Sequence, residues 1–408
     1  MRIAQLAPLF LRVPPTAYGG TERVVAELAD ELVRRGHEVT LFAAGGSRTT
    51  GRLKAVSPRP IWDMDVSDSF SYRMLQVAEL AATADRYDVI HSHVDYLTWP
   101  LAMFLPTPVV TTLHGRLDLP ELRPLFARCR GVPLVSISHA QREPVNDLDL
   151  NWVRTVHHGL DLRSIYRLGA GDGDYLVFLG RISPEKDPVT AIRVAIKAGI
   201  PIKVAARVDP SDSDYFERTV KPLFDHPLVD WLGEQDDRAK NTLIGGARAL
   251  LLPLTWDEPF GLVFIEALAC GTPVITRARG SASEIIGHGE HGFLVNSEQE
   301  MVDACRRAGE LDRLACRRWA LDQFSVSRMA GDYERVYARV CDRRADRDAA
   351  VAELFLPDAV RPGLERANAR HAPAAEDLNP DDVPGIPSTA TRLGLRRALK
   401  PPFGPAGR

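Results

Sequence analysis

Two carboxylates, Glu258 and Glu266, stand eight residues apart inside an otherwise mostly apolar run, Pro253-Leu254-Thr255-Trp256-Asp257-Glu258-Pro259-Phe260-Gly261-Leu262-Val263-Phe264-Ile265-Glu266-Ala267-Leu268-Ala269-Cys270-Gly271-Thr272-Pro273. Paired carboxylates invite a hydrolytic reading, one as acid and the other as base or nucleophile. The spacing argues against it. Eight helical residues rise roughly 12 Å, whereas hydrolytic pairs sit about 5–9.5 Å apart. The two glutamates instead suit different parts of one long ligand. Glu266 lies among Leu262, Val263, Phe264, Ile265 and Leu268, so its helix should be buried and its carboxylate must find a partner.

The elements that must position this pair can be read from the same stretch. Residues 249–253 form an apolar strand, and Pro259 suits the first position of a helix, where its missing N–H costs nothing. Gly271 is the expected left-handed residue after the helix, and Pro273 blocks its continuation. Glu258 then sits at the C-terminal edge of a strand and at a helix mouth, where open α/β sheets bind ligands.

Cations and glycines occur at similar places. Arg181 follows a strand at 175–179, and Lys186 precedes a helix that Asp187 caps, Pro188 opens and Gly199 closes. A planar guanidinium, a compact ammonium and a helix dipole of the same sign can converge on a diphosphate. Near the N-terminus, a strand at 3–7 leads through a loop with Gly19 and Gly20 into a helix with Thr21 as its expected N-cap. Such glycines let backbone N–H groups approach an anion, or simply make a turn. His91, His93 and His114 fall at strand ends, but they lack the spacing of a helical histidine pair and no acidic ligand motif accompanies them. No metal site is expected. His91 and His93 are read as shaping a cleft or ending a strand.

Together these motifs resemble the retaining glycosyltransferases of family 4, which have the GT-B fold. The resemblance rests on Glu-x7-Glu enclosing Pro-Phe-Gly-Leu, on Ala-Cys-Gly-Thr-Pro-Val-Ile behind it, and on Gly-Arg-x-Ser-Pro-Glu-Lys at residues 180–186. Tyr-Gly-Gly-Thr-Glu-Arg-Val-Val at 18–25 and Thr-Thr-Leu-His-Gly at 111–115 add to it. It implies that Glu258 and His114 face the donor sugar as catalytic residues. It implies that Phe260, Gly261 and Leu262 form the diphosphate-holding loop and helix start, with Arg181 and Lys186 as clamp. Gly19 and Gly20 would lie beside the donor phosphates, and Glu266 would bind the ribose.

Three segments depart from the family pattern. Asp187 replaces a glycine, His158 replaces an asparagine, and Ala205-Ala206-Arg207 stands where many relatives have Gly-x-Gly. The implied architecture is two Rossmann-like domains facing across a cleft. Residues 1–161 form the acceptor-side domain and 162–324 the nucleotide-sugar domain. A helix at 325–342 crosses back to the first domain, and 343–408 is a largely disordered tail.

Composition sets outer bounds. A chain of 408 residues suits two domains, and a net charge of −3 gives no reason to expect nucleic acid as a partner. Five cysteines without paired spacing suit a reducing cytoplasm, and residues 1–10 read as a first strand rather than a signal peptide. The tail's basic stretch at 391–400 could dock weakly on a membrane surface, beside the reading of a solvated tail. The Asp-x-Asp at Asp63-Met64-Asp65 follows no clear strand, so Arg181 and Lys186 are expected to replace a donor metal, with no cofactor. The expected function is metal-independent transfer, with retention, from a nucleotide-diphosphate sugar to an acceptor that is a sugar, a lipid-linked compound or a small molecule. The alternatives are a GT-B epimerase or phosphorylase, or a non-catalytic sugar-nucleotide-binding protein.

Overall fold

Alternating apolar strands and amphipathic helices produce two parallel sheets, because short β–α–β links leave consecutive strands pointing the same way. The protein's structure, a computed structural model, describes residues 1–354 except Ala17 and Met103. The first sheet holds β1 (Arg2–Leu6), β2 (Glu38–Ala44), β3 (Arg52–Ser57), β4 (Val89–Ser92), β5 (Val109–Thr112), β6 (Leu134–Ser136) and β7 (Trp152–Thr155). The second holds β8 (Leu176–Arg181), β9 (Ile202–Arg207), β10 (Val229–Trp231), β11 (Ala249–Leu252), β12 (Val274–Arg277) and β13 (Gly292–Val295). Their orders are 3-2-1-4-5-6-7 and 10-9-8-11-12-13. Each sheet therefore reverses its winding once, between β1 and β4 and between β8 and β11. A crevice opens outside the carboxyl ends of the strands at such a reversal.

Strands covered by helices on both faces must be apolar throughout. Leu250, Leu251 and Leu252 are all fully buried, as are Leu176, Val177 and Phe178 beside them. Each such side chain contributes about 1.5–3 kcal/mol by leaving water. Trp231 stacks on Phe224 at 4.9 Å and meets Phe216 at 5.5 Å, so it packs against the core rather than offering a free ring for a base.

The chain crosses between the sheets twice at one place. Leu160 pairs with Ser325 in a parallel bridge, with Leu160 N–H donating to Phe324 O at 3.1 Å and Val326 N–H to Leu160 O at 3.0 Å. Gly159 is required there, since a Cβ would lie 2.4 Å from Ser325 O. The last helix runs Val326–Leu354, and its part up to residue 342 packs on the first sheet through Tyr333 and Tyr337. Tyr333 and Tyr337 are fully buried, and Glu334 pairs with Arg35 and His37.

Three local expectations are corrected. The helix bearing Glu266 is Leu262–Ala269, so Pro259 lies in the preceding loop and Gly261, at φ 76°, is the N-cap. Thr21 lies inside a helix, Gly20–Arg34, whose N-cap is Gly19. The last helix continues past residue 342, where the tail was expected to begin, because 343–354 is mostly Ala, Arg, Glu and Leu. Extending an existing helix needs no new nucleus. The remaining tail and its basic stretch at 391–400 lie outside the described residues. Among the described residues, no helix is long and apolar enough to cross a membrane.

Candidate active site

At the reversal of the second sheet, the segment after β8 meets the segment after β11. Lys186, from the first, forms an ion pair with Glu258, from the second, and both side chains are largely buried. The Lys186 ammonium also lies 5.5 Å from the centre of the Trp256 ring, close enough for a cation–π contact. Arg181, the last residue of β8, donates to Asp209 at 3.1 Å and approaches Glu185 at 3.7 Å. The loop holding Glu258 is fixed from outside. Ser281 N–H donates to Glu258 O at 2.9 Å, and its hydroxyl donates to Phe260 O at 2.8 Å. Gly280 is needed for this approach, since a Cβ would lie 2.4 Å from the Glu258 backbone.

Two helix N-termini meet between the sheets. Helix Gly20–Arg34 has Gly19 as its cap and helix Leu262–Ala269 has Gly261, and neither receives a side-chain capping bond. A Cβ on Gly20 would stand 3.2 Å from Leu262 Cδ1, so the two ends adjoin. Helices elsewhere are capped by Asp187, Asp236, Ser297 and Asp312. The unpaired N–H groups and positive dipole ends of two uncapped helices thus face one region, which favours an anion.

Glu266 is buried and satisfied by side chains. Its Oε1 accepts from the Tyr166 hydroxyl at 2.6 Å and from Lys240 at 2.9 Å. Burial, with the Glu266 charge adding to it, raises the Tyr166 phenol far above its ordinary range, so that group stays a donor. Arg23, from the first domain, binds Asp237 at 2.9 and 3.1 Å beside this cluster. Phe260 differs from its neighbours. The whole residue is only 2% exposed, its ring packed against His158 at 4.9 Å and Phe324 at 5.9 Å and its carbonyl accepting from Ser281, so it supports the loop from within the core.

His114 follows β5 in the first sheet. Its Nε2 lies 2.8 Å from His93 Nδ1, while its own Nδ1 is buried with no partner among the described residues. Burial holds this imidazole at a pKa of about 3, so it is neutral. Asp95, a left-handed residue at φ 49°, opens the short turn Asp95–Thr98 that follows β4. His91 and His93 line no cleft. At 0% and 2% exposure they belong to a buried hydrogen-bond chain beneath the last helix.

A sequence profile of the Glycosyl transferases group 1 matches residues 167–319, and one of Glycosyltransferase Family 4 matches 18–164. The chain is a family 4 glycosyltransferase. This glycosyltransferase is 26% identical over 400 residues to a D-inositol 3-phosphate glycosyltransferase of Mycolicibacterium smegmatis, covering 81% of this chain and 91% of the relative. It is 25% identical to an N-acetyl-alpha-D-glucosaminyl L-malate synthase of Bacillus anthracis, covering 80% and 96%. The crystal structure of AviGT4, a glycosyltransferase involved in avilamycin A biosynthesis, superposes with a TM-score of 0.63 at 25% identity. That match covers 84% of this chain and 98% of AviGT4, and the shared fold is GT-B.

Within the glycosyltransferase, the departures noted above acquire physical reasons. Asp187 adopts φ 52°, the left-handed conformation that glycine favours, and its carboxylate accepts from Thr190 N–H at 3.1 Å. Its other oxygen lies 3.3 Å from Arg277, which neutralises it. His158 stacks on His114 at 5.1 Å and 18°. Arg207, where the glycine motif is lost, pairs with Asp209 at 2.8 Å and lies over Tyr18 and Trp62 at 5.2 and 5.5 Å. Tyr166, Lys240, Arg207 and Asp209 went unrecognised in the sequence. Tyr166 and Lys240 lie 100 and 26 residues from Glu266, and Asp209 lies 28 from Arg181, so no local window joins them; Arg207 and Asp209 alone are near in the chain.

Proposed function

We propose that this glycosyltransferase moves a sugar from a nucleotide-diphosphate donor to an acceptor hydroxyl with retention, without a metal. The observation carrying this reading is the meeting of two uncapped helix ends beside Lys186 and Arg181. A diphosphate is the anion that such an arrangement suits best. Backbone N–H groups near Gly19, Gly20, Gly261 and Leu262 would receive its oxygens. Arg181 and Lys186 would supply the charge that a cation supplies elsewhere, releasing Asp209 and Glu258 from their present pairs. Glu258, freed in this way, accepts from donor-sugar hydroxyls, and His114 lines the same sugar. Glu266 keeps Tyr166 and Lys240 on one oxygen and offers the other to the ribose.

In the reaction the C1–O bond to the diphosphate breaks and the acceptor oxygen bonds to C1 on the same face. The acceptor proton passes to the departing phosphate oxygen. Fixed dipoles and cations around that phosphate stabilise its growing charge without reorganising at the moment of transfer. The cysteines, all unpaired among the described residues, suit a reducing compartment, and we place the reaction in the cytoplasm.

The test is calorimetric titration with UDP, GDP, ADP and TDP, followed by turnover of the matching sugars with and without EDTA. Micromolar binding of one diphosphate and EDTA-insensitive turnover are expected. Loss of turnover on chelation, restored by Mn²⁺ or Mg²⁺, would refute the side-chain clamp. NMR of the product's anomeric proton decides retention.

A further inference from the structure

A single hydrogen-bond chain runs from the last helix to His114 through the core of the first domain. Gln5 Nε2 donates to the Tyr337 hydroxyl at 3.0 Å, and Tyr337 Oη lies 2.8 Å from His91 Nδ1. His91 Nε2 is 2.7 Å from Thr112 Oγ1, which is 3.0 Å from the Tyr333 hydroxyl. On the other side, Gln5 Oε1 is 2.8 Å from His93 Nε2, and His93 Nδ1 is 2.8 Å from His114 Nε2. Gln5, His91 and Thr112 are fully buried, as are both tyrosines.

Neutral groups in such a chain have no freedom to choose their protons one at a time. Burial keeps all three imidazoles neutral and both phenols protonated, so each ring has one N–H and one bare nitrogen. Gln5 offers its carbonyl to His93, so His93 Nε2 carries the hydrogen and its Nδ1 is an acceptor. His114 Nε2 must then donate to it, which leaves His114 Nδ1 bare. Rotating the Gln5 amide by half a turn would reverse every bond and put a hydrogen on that nitrogen. In the orientation present, Gln5 Nε2 donates to Tyr337 and Tyr337 donates to His91, so the amide can turn only if Tyr337, His91, Thr112 and Tyr333 reverse their hydrogens with it.

We propose that Gln5, His93 and Tyr337 are positioning residues that hold His114 in its Nε2–H form, so that Nδ1 is presented as an acceptor. The helix that follows the second domain thereby sets the chemistry of a histidine in the first. The group that meets Nδ1 must carry a hydrogen, as a neutral hydroxyl does and an ionised carboxylate or phosphate does not. The role for His114 rests on the proposed transfer reaction, whereas its tautomer does not.

The experiment is two-bond ¹H–¹⁵N correlation on protein labelled at histidine, with the His114 signal identified by its loss in His114→Gln. The expected wild-type pattern is a protonated Nε2 and a bare Nδ1. His93→Phe, or Tyr337→Phe if the first does not fold, should give a mixed or reversed pattern at His114. The same variant should lower kcat at least about tenfold, the size typical of losing a group that orients a ligating side chain, with donor KM nearly unchanged. His93→Asn, whose amide oxygen can accept from His114 Nε2, should restore both pattern and rate. A protonated Nδ1 in the wild type, or an unchanged His114 pattern in His93→Phe and Tyr337→Phe, would overturn the relay. The expected spectra with no sugar transfer from any donor would leave the relay standing and refute the reaction.

Discussion

Glu258 and Glu266 share a motif but have different surroundings. Glu258 is paired with Lys186 in a loop, whereas Glu266 is held by Tyr166 and Lys240 inside a helix. Glu258→Gln should lower kcat much more than it raises donor KM, because its interaction matters most while the sugar is in its reacting geometry. Free nucleoside diphosphate should bind this variant as well as or better than wild type, since Lys186 loses its competitor. Glu266→Ala should raise donor KM and weaken free diphosphate as well. It should also cost about 1–3 kcal/mol of stability by leaving buried donors unpaired. Steady-state kinetics, calorimetry and urea melts separate these outcomes, and a reversed pattern would invert the placing of the donor. Arg181→Ala and Lys186→Ala should each weaken diphosphate binding by about 1.5–3 kcal/mol, the worth of a charge-assisted contact. The cations and carboxylates could be read from sequence because their motifs are contiguous. Tyr166, a hundred residues from Glu266, could not.

At the scale of elements, strand order and helix faces follow from periodicity, but helix starts do not. Pro259 obeys a local rule for a first helical residue, and Thr21 obeys one for a cap. Both are overruled by adjacent glycines in conformations that other residues reach only at a cost, at φ 139° for Gly19 and 76° for Gly261. Gly280 and Ser281, some twenty residues on, fix the loop at Glu258, and no window of local sequence includes them. The shift bears on function, since it makes the residues between Glu258 and the helix a loop and removes the helical rise as a measure of their separation. Gly261→Ala should cost roughly 1–2 kcal/mol for the left-handed backbone. It would also place a Cβ 2.8 Å from the Phe264 ring. Diphosphate affinity should fall with the melting temperature, because the same turn aims the helix end. Asp187→Gly keeps its backbone geometry and should change the melting temperature by only a few tenths of a kcal/mol equivalent. Asp187→Ala should destabilise more.

The whole molecule carries a buried titration problem. His91, His93, His114 and His158 are each pushed by burial below their ordinary 6.5, His114 to about 3. Unfolded, they take up protons below about pH 6.5, and folded they do not. Their contribution to stability is therefore complete above 6.5 and is lost as pH falls toward the folded values. Glu27, raised by burial to about 7, acts in the opposite sense and offsets part of it. The melting temperature should be level near pH 7–8 and fall between about pH 6.5 and 4, with a shallower fall in His93→Phe. A melting temperature independent of pH from 7 to 5 would contradict the neutral cluster.

The last helix also governs how this chain can be recombined. Its register on the first domain is set by Tyr333 and Tyr337 against Thr112, His91 and Gln5, and by Arg328 donating to His157 O and His158 O at 2.7 and 3.0 Å. A chimera joined at residue 161, with everything beyond taken from a relative, would pair these buried groups with foreign tyrosines or none. Each unmet bond would cost about 1–3 kcal/mol. A design that also keeps residues 325–354 from this chain carries the partners along with the domain they serve. The unit that evolution or an engineer can exchange is thus discontinuous in sequence: the chain that forms the first sheet, together with a helix encoded after the second sheet.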